Sequence, residues 1–393
     1  METRNEVYLE FAVTRLKEIF RIMLSKGPVL PDLRISNAII SEMNTALFVI
    51  AFLNWAISPR SIAHDLMRVL ARVGIYVMDQ TVDFVVDSLC RRREARDAVL
   101  LWAHFWCLNF LFPLMDRQTP KTETDFSHKI RLLRYLATQR DSNRCIVTGV
   151  HDIFSAGSLE PSGVLTPVHI IPARIQDNQV AKHLIQIFTG GRIPPSRLSP
   201  ENIDTCDNIL MLSTSISTTF EQYRWSIKPE LQRNITFSDS AASRSSNSNS
   251  NSNRNRNTYN YTLAKVSMHQ VQPIHLIPPS HSQLHFSTGP EGHLFKDPDP
   301  ILFALHFSLA QILDATQAGR IILELQHAEW RFLVRKRGLV EPGYDPAAVV
   351  VFVRNLSRDY MKRTLDWAVE PGELVRGRDE EVQRLAAGGV LSM

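Results

Sequence analysis

Two stretches, Thr166-Pro-Val-His-Ile-Ile-Pro172 and Asn202-Ile-Asp-Thr-Cys-Asp-Asn-Ile-Leu210, decide how the middle of this chain folds. The first is a short apolar run that ends in a proline, which is typical of a β-strand, and it carries one histidine, His169. The second is rich in turn-forming residues and leads to Asn208, after which Leu210–Phe220 can form a strand edge and a helix. An asparagine at such a strand–helix junction can hold a loop in place, because its side chain forms hydrogen bonds with the backbone.

A strand histidine beside such a loop suits the hydrolysis of a phosphodiester bond. This reaction needs a general base that deprotonates water, a divalent cation that stabilises the developing charge, and a scaffold that fixes both. Histidine suits the first role, because the imidazole ring gains and loses its proton near neutral pH. A small β-hairpin packed on one helix can present the base from its strand and a metal ligand from the helix. Two simpler interpretations stay open: His169 as a buried strand histidine bonded to the backbone, and Asn208 as an ordinary helix cap.

The composition is that of a soluble globular protein. The chain has 393 residues, of which 44% are apolar and 21% are charged, and this length predicts two or three domains. A net charge of +4 is too small to establish a nucleic-acid partner, although the clusters Arg91-Arg92-Arg93 and Arg335-Lys336-Arg337 are compatible with one. Such clusters are more often solvated helix ends.

Four widely spaced cysteines, which form no CxxC motif, indicate the redox environment. They are Cys90, Cys107, Cys145 and Cys206. Their spacing excludes a zinc-ribbon or zinc-finger pattern and favours reduced thiols. Charged residues interrupt the beginning of the chain, so no signal peptide is predicted. We therefore expect an intracellular protein, either nuclear or cytoplasmic.

Two apolar segments raise the question of a membrane. Ala98–Met115 carries no formal charge and reaches the lower length limit of a membrane span, and Met43–Ile57 is similar but shorter. The first segment contains His104, Asn109 and Pro113, which are unfavourable in lipid. Both segments are therefore predicted to be buried core helices, and no membrane partner is expected.

The order of patterns along the chain predicts an α+β protein in three parts. Residues 1–139 show helical spacing of apolar residues, with Ser58-Pro59 as a cap and a first-turn proline. Residues 140–319 introduce strand patterns, and residues 320–393 form a tail of mixed charge. The additional short strand patterns are Asn143–Gly149, Gln222–Lys228 and Asn260–Val266.

The chain beyond the third of these strands predicts an insertion and a helix. Residues 238–257, between the last two strands, are a run of serine, asparagine and arginine with little apolar surface to bury. We expect them to form a disordered loop at the tip of a hairpin. Farther along, Asp299-Pro300 predicts the beginning of an amphipathic helix and Gly319 predicts its end.

Taken together, these motifs resemble the HNH endonuclease domain found in many fungal proteins, which has the ββα-metal nuclease fold. The matching pieces are Arg144–Gly149, Val168–Pro172, Asn202–Asp204, Asn208–Leu210, Phe220-Glu221 and, for the helix after the core, Asp297–His306. The resemblance extends over residues 140–319 and implies a metal-dependent endonuclease that hydrolyses DNA. It also implies that His169 is the general base, that Asn208 is the middle asparagine of the motif, and that a magnesium-class divalent metal takes part.

The chain departs from the family pattern at the metal ligands. The third histidine of the motif falls on Ser217, nine residues after Asn208, and the position before His169 is Val168. A serine hydroxyl is a poor ligand for a transition metal and a weak one for magnesium. Candidate replacement ligands are Asp204, Asp207 and Glu221. A second hypothesis is therefore a catalytically inactive pseudonuclease that serves as a scaffold binding nucleic acid or protein.

Overall fold

The computed structural model of the protein describes residues 2–26, 44–115, 123–154, 162–231, 259–266, 282–286, 297–319 and 322. The predicted insertion at residues 238–257 and, apart from Ile322, the predicted tail at residues 320–393 lie outside these ranges. Helices and short strands both occur in the described residues, so the chain is a mixed α and β protein, as predicted.

Helices fill the first part of the chain, as the spacing of its apolar residues predicts. They are α1 (Glu2–Ser25), α2 (Thr45–Trp55), α3 (Pro59–Arg72), α4 (Val82–Arg91), α5 (Arg93–Trp106), a π-helical segment (Cys107–Leu111), α6 (Phe112–Met115) and α7 (Glu123–Arg140). The predicted cap is confirmed at α3. There the Ser58 side chain accepts a hydrogen bond from the Ser61 amide at 3.4 Å, and Pro59 occupies the first turn.

One helical stretch, Arg93–Met115, is long and apolar enough to cross a membrane by length and composition. Of its apolar window, 56% is buried inside the protein. Trp102 and Trp106 lie in the core, and both indole N–H groups donate to the same carboxylate oxygen of Asp65, at 2.9 and 3.1 Å. Because a carboxylate is unfavourable in lipid, these contacts favour the predicted core helix. Most of α2, the other apolar segment, is buried as well.

The prediction of a strand at Asn143–Gly149 is wrong. The segment is a tight turn, and its one ladder contact is an isolated antiparallel bridge between Arg144 and His151. The Gly149 amide donates to the Cys145 carbonyl at 2.9 Å. Positive φ angles of 58° and 70° at the two ends of the segment bend the chain back on itself. The turn, and not a sheet, therefore buries the apolar residues of this segment.

A central hairpin followed by a helix forms the middle of the chain. Its elements are β1 (His151–Asp152), β2 (Ser162–Gly163), β3 (Leu165–His169), α8 (Gln179–Thr189), α9 (Pro200–Ile203), β4 (Ile209–Ser213) and α10 (Thr214–Glu221). β1 pairs with β2 in parallel, and β3 pairs with β4 antiparallel. α10 begins directly after β4, so the strand and helix predicted over Leu210–Phe220 are confirmed.

A second antiparallel sheet and a long helix follow. They are β5 (Trp225–Leu231), β6 (Tyr259–Lys265), β7 (Gln283–Leu284) and α11 (Pro300–Thr316). β6 pairs with both β5 and β7, which confirms the predicted hairpin of the two longer strands. β5 begins later than predicted, because Tyr223 has a positive φ of 58° in the preceding turn. α11 begins after its cap Asp299, as predicted, but Gln317 ends it in the left-handed conformation before Gly319 is reached.

The N-terminal helices and the later part of the chain share one hydrophobic core. The ring centroids of Phe110 and Phe188 lie 4.8 Å apart, and the Ser58 amide donates to the Phe188 carbonyl at 2.9 Å. The Tyr223 hydroxyl donates to the Leu114 carbonyl at 3.0 Å. Since these contacts join the two sides of the boundary at residue 139, the division of the chain into domains stays a prediction.

The four cysteines are free thiols. Burial raises the pKa of the Cys107 thiol to about 12, so this thiol stays protonated and unreactive at neutral pH. The reduced state of the cysteines in the cell and the nuclear or cytoplasmic location stay predictions.

Candidate active site

The β3–β4 hairpin sets the position of His169. The histidine lies opposite Ile209 at the last paired position of β3. Its neighbours Val168 and Ile170 are each 1% exposed, whereas the His169 side chain is 17% exposed. The hairpin therefore buries the apolar residues on either side and leaves the imidazole in partial contact with solvent.

His169 is hydrogen-bonded to a carboxylate. Its Nε2 atom lies 2.9 Å from Oδ1 of Asp204, whose side chain is 8% exposed. A carboxylate only accepts hydrogen bonds, so the proton of this contact belongs to Nε2. Among the described residues, none forms a hydrogen bond with Nδ1 of His169. The contact therefore favours the form of the neutral ring whose Nδ1 atom can accept a proton.

Asn208 fastens the loop before β4 to the end of β3. Its Oδ1 atom accepts a hydrogen bond from the Ile171 amide at 2.9 Å. Its Nδ2 atom donates to the carbonyls of Ile171 and Ile203, each at 3.0 Å. The residue is 1% exposed, so these hydrogen bonds are shielded from water. The sequence predicts hydrogen bonds of this kind, which join the asparagine side chain to the backbone of a loop.

The predicted place of Asn208 at a strand–helix junction is wrong. The whole of β4 separates Asn208 from α10, and the residue lies at the end of a short 3₁₀ turn. The reason is the continuous apolar run that begins at Ile209, all of which is buried in the hairpin. Asn208 therefore fastens a loop to a strand, and the alternative of an ordinary helix cap does not apply.

The buried Arg140 holds the same loop from the protein interior. It is 0% exposed and forms two hydrogen bonds with the Asp141 carboxylate, at 2.8 and 2.7 Å. It also donates to the carbonyls of Cys206 and Ile209, at 2.9 and 3.1 Å. Burial by itself would lower the pKa of Arg140, but the hydrogen bonds and charge of Asp141 outweigh it and raise this pKa. The charged guanidinium therefore links the end of α7 to the loop and to β4.

A second arginine, Arg197, contacts side chains of the same loop. Its Nη2 atom lies 2.7 Å from the Asp207 carboxylate, and its Nη1 atom donates to the Thr205 hydroxyl at 3.3 Å. Neither Arg140 nor Arg197 is a candidate site residue from the sequence. No local pattern distinguishes them, because an arginine among polar residues is normally exposed, and only the folded chain shows what each one contacts.

Ser217 lies on α10 and faces the protein interior. It is 5% exposed, and its hydroxyl donates to the Thr214 carbonyl of the same helix at 3.1 Å. This hydrogen bond is typical of a serine within a helix and uses the only proton of the hydroxyl.

The three carboxylates considered as replacement ligands have different surroundings. Asp204 contacts His169, Asp207 pairs with Arg197, and Glu221 is exposed at the end of α10. The fold therefore brings Asp204 to the histidine without gathering the three carboxylates into one cluster.

The β3–β4 hairpin, the loop held by Asn208 and the helix α10 follow one another in the order that the resemblance to HNH endonucleases implies. In agreement, residues 145–228 match the HNH endonuclease family. The chain therefore contains an HNH endonuclease domain, and the match includes His169, Asn208 and Ser217. It covers about a fifth of the chain and is shorter than the resemblance over residues 140–319. No curated protein and no solved structure gives a significant match.

HNH nucleases generally use divalent metal ions, and the donor set of the described residues does not fit one. Within those residues, no group of three or more histidine, cysteine, aspartate or glutamate side chains could hold a metal ion. The Ser217 hydroxyl is bonded within its own helix, and Nε2 of His169 is bonded to Asp204. Neither group can therefore bind a metal ion without losing its present hydrogen bond.

The basic cluster Arg91-Arg92-Arg93 forms local contacts. Arg91 lies 2.6 Å from Asp87 and Arg93 lies 3.5 Å from Asp97, and the two arginine side chains are 79% and 84% exposed. This first cluster is therefore a set of solvated charges at helix ends, which is the simpler of the two interpretations of the sequence. The second cluster, Arg335-Lys336-Arg337, lies outside the described residues.

Proposed function

We propose that this protein is a nuclease-type enzyme whose HNH domain hydrolyses phosphodiester bonds of DNA, with His169 as general base and Asn208 holding the loop beside it. One observation carries this assignment: His169 is partly exposed and hydrogen-bonded to Asp204, within the segment that matches the endonuclease family. A general base must be held in place and still be reached by water. The end of β3 meets both requirements, because Asn208 fixes the backbone two residues after His169.

The chain's own residues account for proton transfer and positioning. The imidazole of His169 takes a proton from a water molecule while the water oxygen attacks phosphorus. Asn208 and Arg140 keep the neighbouring loop in one conformation, so that the base does not shift between turnovers. Among the described residues, no group of side chains forms a ligand set for a cation. The experiment below therefore compares different divalent ions.

The test is nicking of supercoiled plasmid DNA by the full chain, with magnesium, with manganese and with a chelator. His169→Ala should lower the nicking rate by about 100-fold or more, the usual contribution of a general base. The matched control is His183→Ala, which removes an exposed histidine on α8 and should leave the rate unchanged. Equal nicking by wild-type protein and His169→Ala would overturn the assignment of the base.

A second function, binding of nucleic acid without cleavage, is favoured by the surroundings of Ser217. The hydroxyl at this position is buried and bonded to Thr214. If Ser217 stands in place of the motif's third histidine, as the resemblance implies, the helix has no strong metal ligand there. Under this pseudonuclease hypothesis the wild-type protein binds DNA, as measured by fluorescence anisotropy, with the same affinity in magnesium and in a chelator. It leaves the plasmid intact under all three conditions. Nicking that requires His169 would decide against this second function.

A further inference from the structure

We propose that Asp204 is the positioning residue of His169, and that it fixes which ring nitrogen acts as the base. This inference rests on the proposed function and deepens it. The carboxylate contacts Nε2 at 2.9 Å and so holds the ring proton there. Nδ1 is then the nitrogen that takes a proton from the attacking water. The sequence suggests Asp204 as a replacement metal ligand, whereas its contact with His169 favours the positioning role.

The loop that carries Asp204 is built to hold this carboxylate. The Ile203 carbonyl, directly before Asp204, accepts a hydrogen bond from Asn208 at 3.0 Å. Two residues after Asp204, the Cys206 carbonyl accepts one from Arg140 at 2.9 Å. Both anchoring residues are at most 1% exposed. Because the backbone is fastened on both sides of Asp204, its side chain has little freedom to leave the imidazole.

The same asparagine fixes the histidine. Asn208 is hydrogen-bonded to the amide and the carbonyl of Ile171, two residues after His169. One side chain therefore joins the backbone next to the base to the backbone next to its carboxylate. The neighbouring Asp207 does not compete for the ring, since its carboxylate pairs with Arg197 at 2.7 Å.

The chemical step balances without a further reactant. One O–H bond of water breaks and its proton passes to Nδ1, while the water oxygen forms a bond to phosphorus and the bond from phosphorus to the leaving oxygen breaks. The leaving oxygen takes a proton from solvent. The imidazolium that results is stabilised by the Asp204 carboxylate at Nε2, so Asp204 acts through His169 without touching the substrate.

The direct test is nitrogen-15 NMR of the full chain labelled at the histidine rings, with the His169 signals assigned by their loss in His169→Gln. In wild-type protein we expect the ring protonated at Nε2 when neutral. In Asp204→Asn we expect a mixture of the two neutral forms, since an amide can donate to Nε2 as well as accept from it. Asp204→Ala is the second variant. The matched control is Asp177→Asn, which removes an exposed carboxylate at the end of the 3₁₀ turn Ala173–Asp177. An unchanged His169 spectrum in a folded Asp204 variant would overturn the proposal.

A kinetic arm separates this inference from the proposed function. If the wild-type protein nicks DNA, Asp204→Asn should slow nicking about 10-fold or more without a matching loss of DNA binding, and Asp177→Asn should not. Unchanged nicking by Asp204→Asn would overturn the positioning role. If the wild-type protein does not nick DNA, the proposed function fails. The spectra still decide whether Asp204 fixes the ring form of His169.

Discussion

Acid should destabilise this protein through one buried histidine, His306 on α11. Its ring is 1% exposed and stacks on Phe220 and Tyr223, with centroid distances of 4.0 and 4.4 Å. The Nδ1 atom lies 2.7 Å from the Ser226 hydroxyl. Burial, only partly opposed by a hydrogen bond with the backbone of Phe220, lowers the pKa of His306 to about 3. The ring is therefore neutral in the folded protein over the whole range in which an ordinary histidine becomes charged.

The size of the effect follows from the two pKa values. In the unfolded chain the pKa of this histidine returns to about 6.5, so between pH 6.5 and pH 3 only the unfolded state binds the proton. Full stability is present above about pH 6.5 and decreases as the pH falls below this value, by about 1.4 kcal/mol per pH unit. Between pH 7.5 and pH 5 this group should remove about 2 kcal/mol of the free energy of unfolding.

The assay is urea unfolding of wild-type protein and His306→Gln at several pH values from 7.5 to 5. Glutamine keeps a polar group near Ser226 but does not titrate, and all other ionisable groups are common to both proteins. The variant should be less stable at pH 7.5, and the difference between the two proteins should shrink by about 2 kcal/mol at pH 5. If His306→Gln does not fold, the double variant His306→Phe with Ser226→Ala removes the proton site and the hydroxyl that depends on it. Parallel pH profiles would contradict the lowered pKa of His306, because they would show equal proton binding by this residue in both states.

Three further predictions concern the loop and the helix of the HNH domain. Arg140→Met should lower the free energy of unfolding by about 3–5 kcal/mol, because it leaves the 3% exposed Asp141 without its guanidinium. Asn208→Ala should cost about 3 kcal/mol or more, because it leaves the amide and carbonyl of Ile171 and the carbonyl of Ile203 without this partner. Urea unfolding measures both changes. Ser217→His should raise the affinity for manganese in calorimetry, and an unchanged affinity would mean that Ser217 does not occupy the place of the third histidine.

Matched controls separate these effects from general damage to the fold. Arg93→Met and Asn202→Ala change the same residue types at exposed positions, and each should alter the free energy of unfolding by less than about 1 kcal/mol. Ser215→His introduces an exposed histidine two residues before Ser217 and should leave the manganese affinity unchanged. A loss in Arg93→Met as large as that in Arg140→Met would contradict the buried ion pair as the cause.

Much of the local structure could be predicted because it depends on neighbours in the chain. The Ser58 cap, the Asp299 cap and the period of the apolar residues in β6 are set within a few residues. The turn at Asn143–Gly149 cannot be predicted from such local patterns. A short apolar run fits either a strand or a buried turn, and the positive φ angles of Asn143 and Gly149 decide between them. Asn208 can be predicted to hold a loop, because this depends on its own side chain and the neighbouring turn residues. Its position before β4 cannot be predicted, because a short apolar run such as Ile209–Leu212 fits more than one structure.

The HNH domain can be recognised from sequence patterns, which place His169 on a strand, Asn208 in a loop and a helix beyond. The contacts of these residues are seen only in the folded chain. Asp204 meets His169 across 35 residues of chain, because Asn208, Arg140 and Arg197 close the intervening loop onto the hairpin. The local period of the apolar residues does not predict this closure of the loop. The closure depends on hydrogen bonds between residues that are distant in sequence, and these form only once the hairpin and the helices around it have packed.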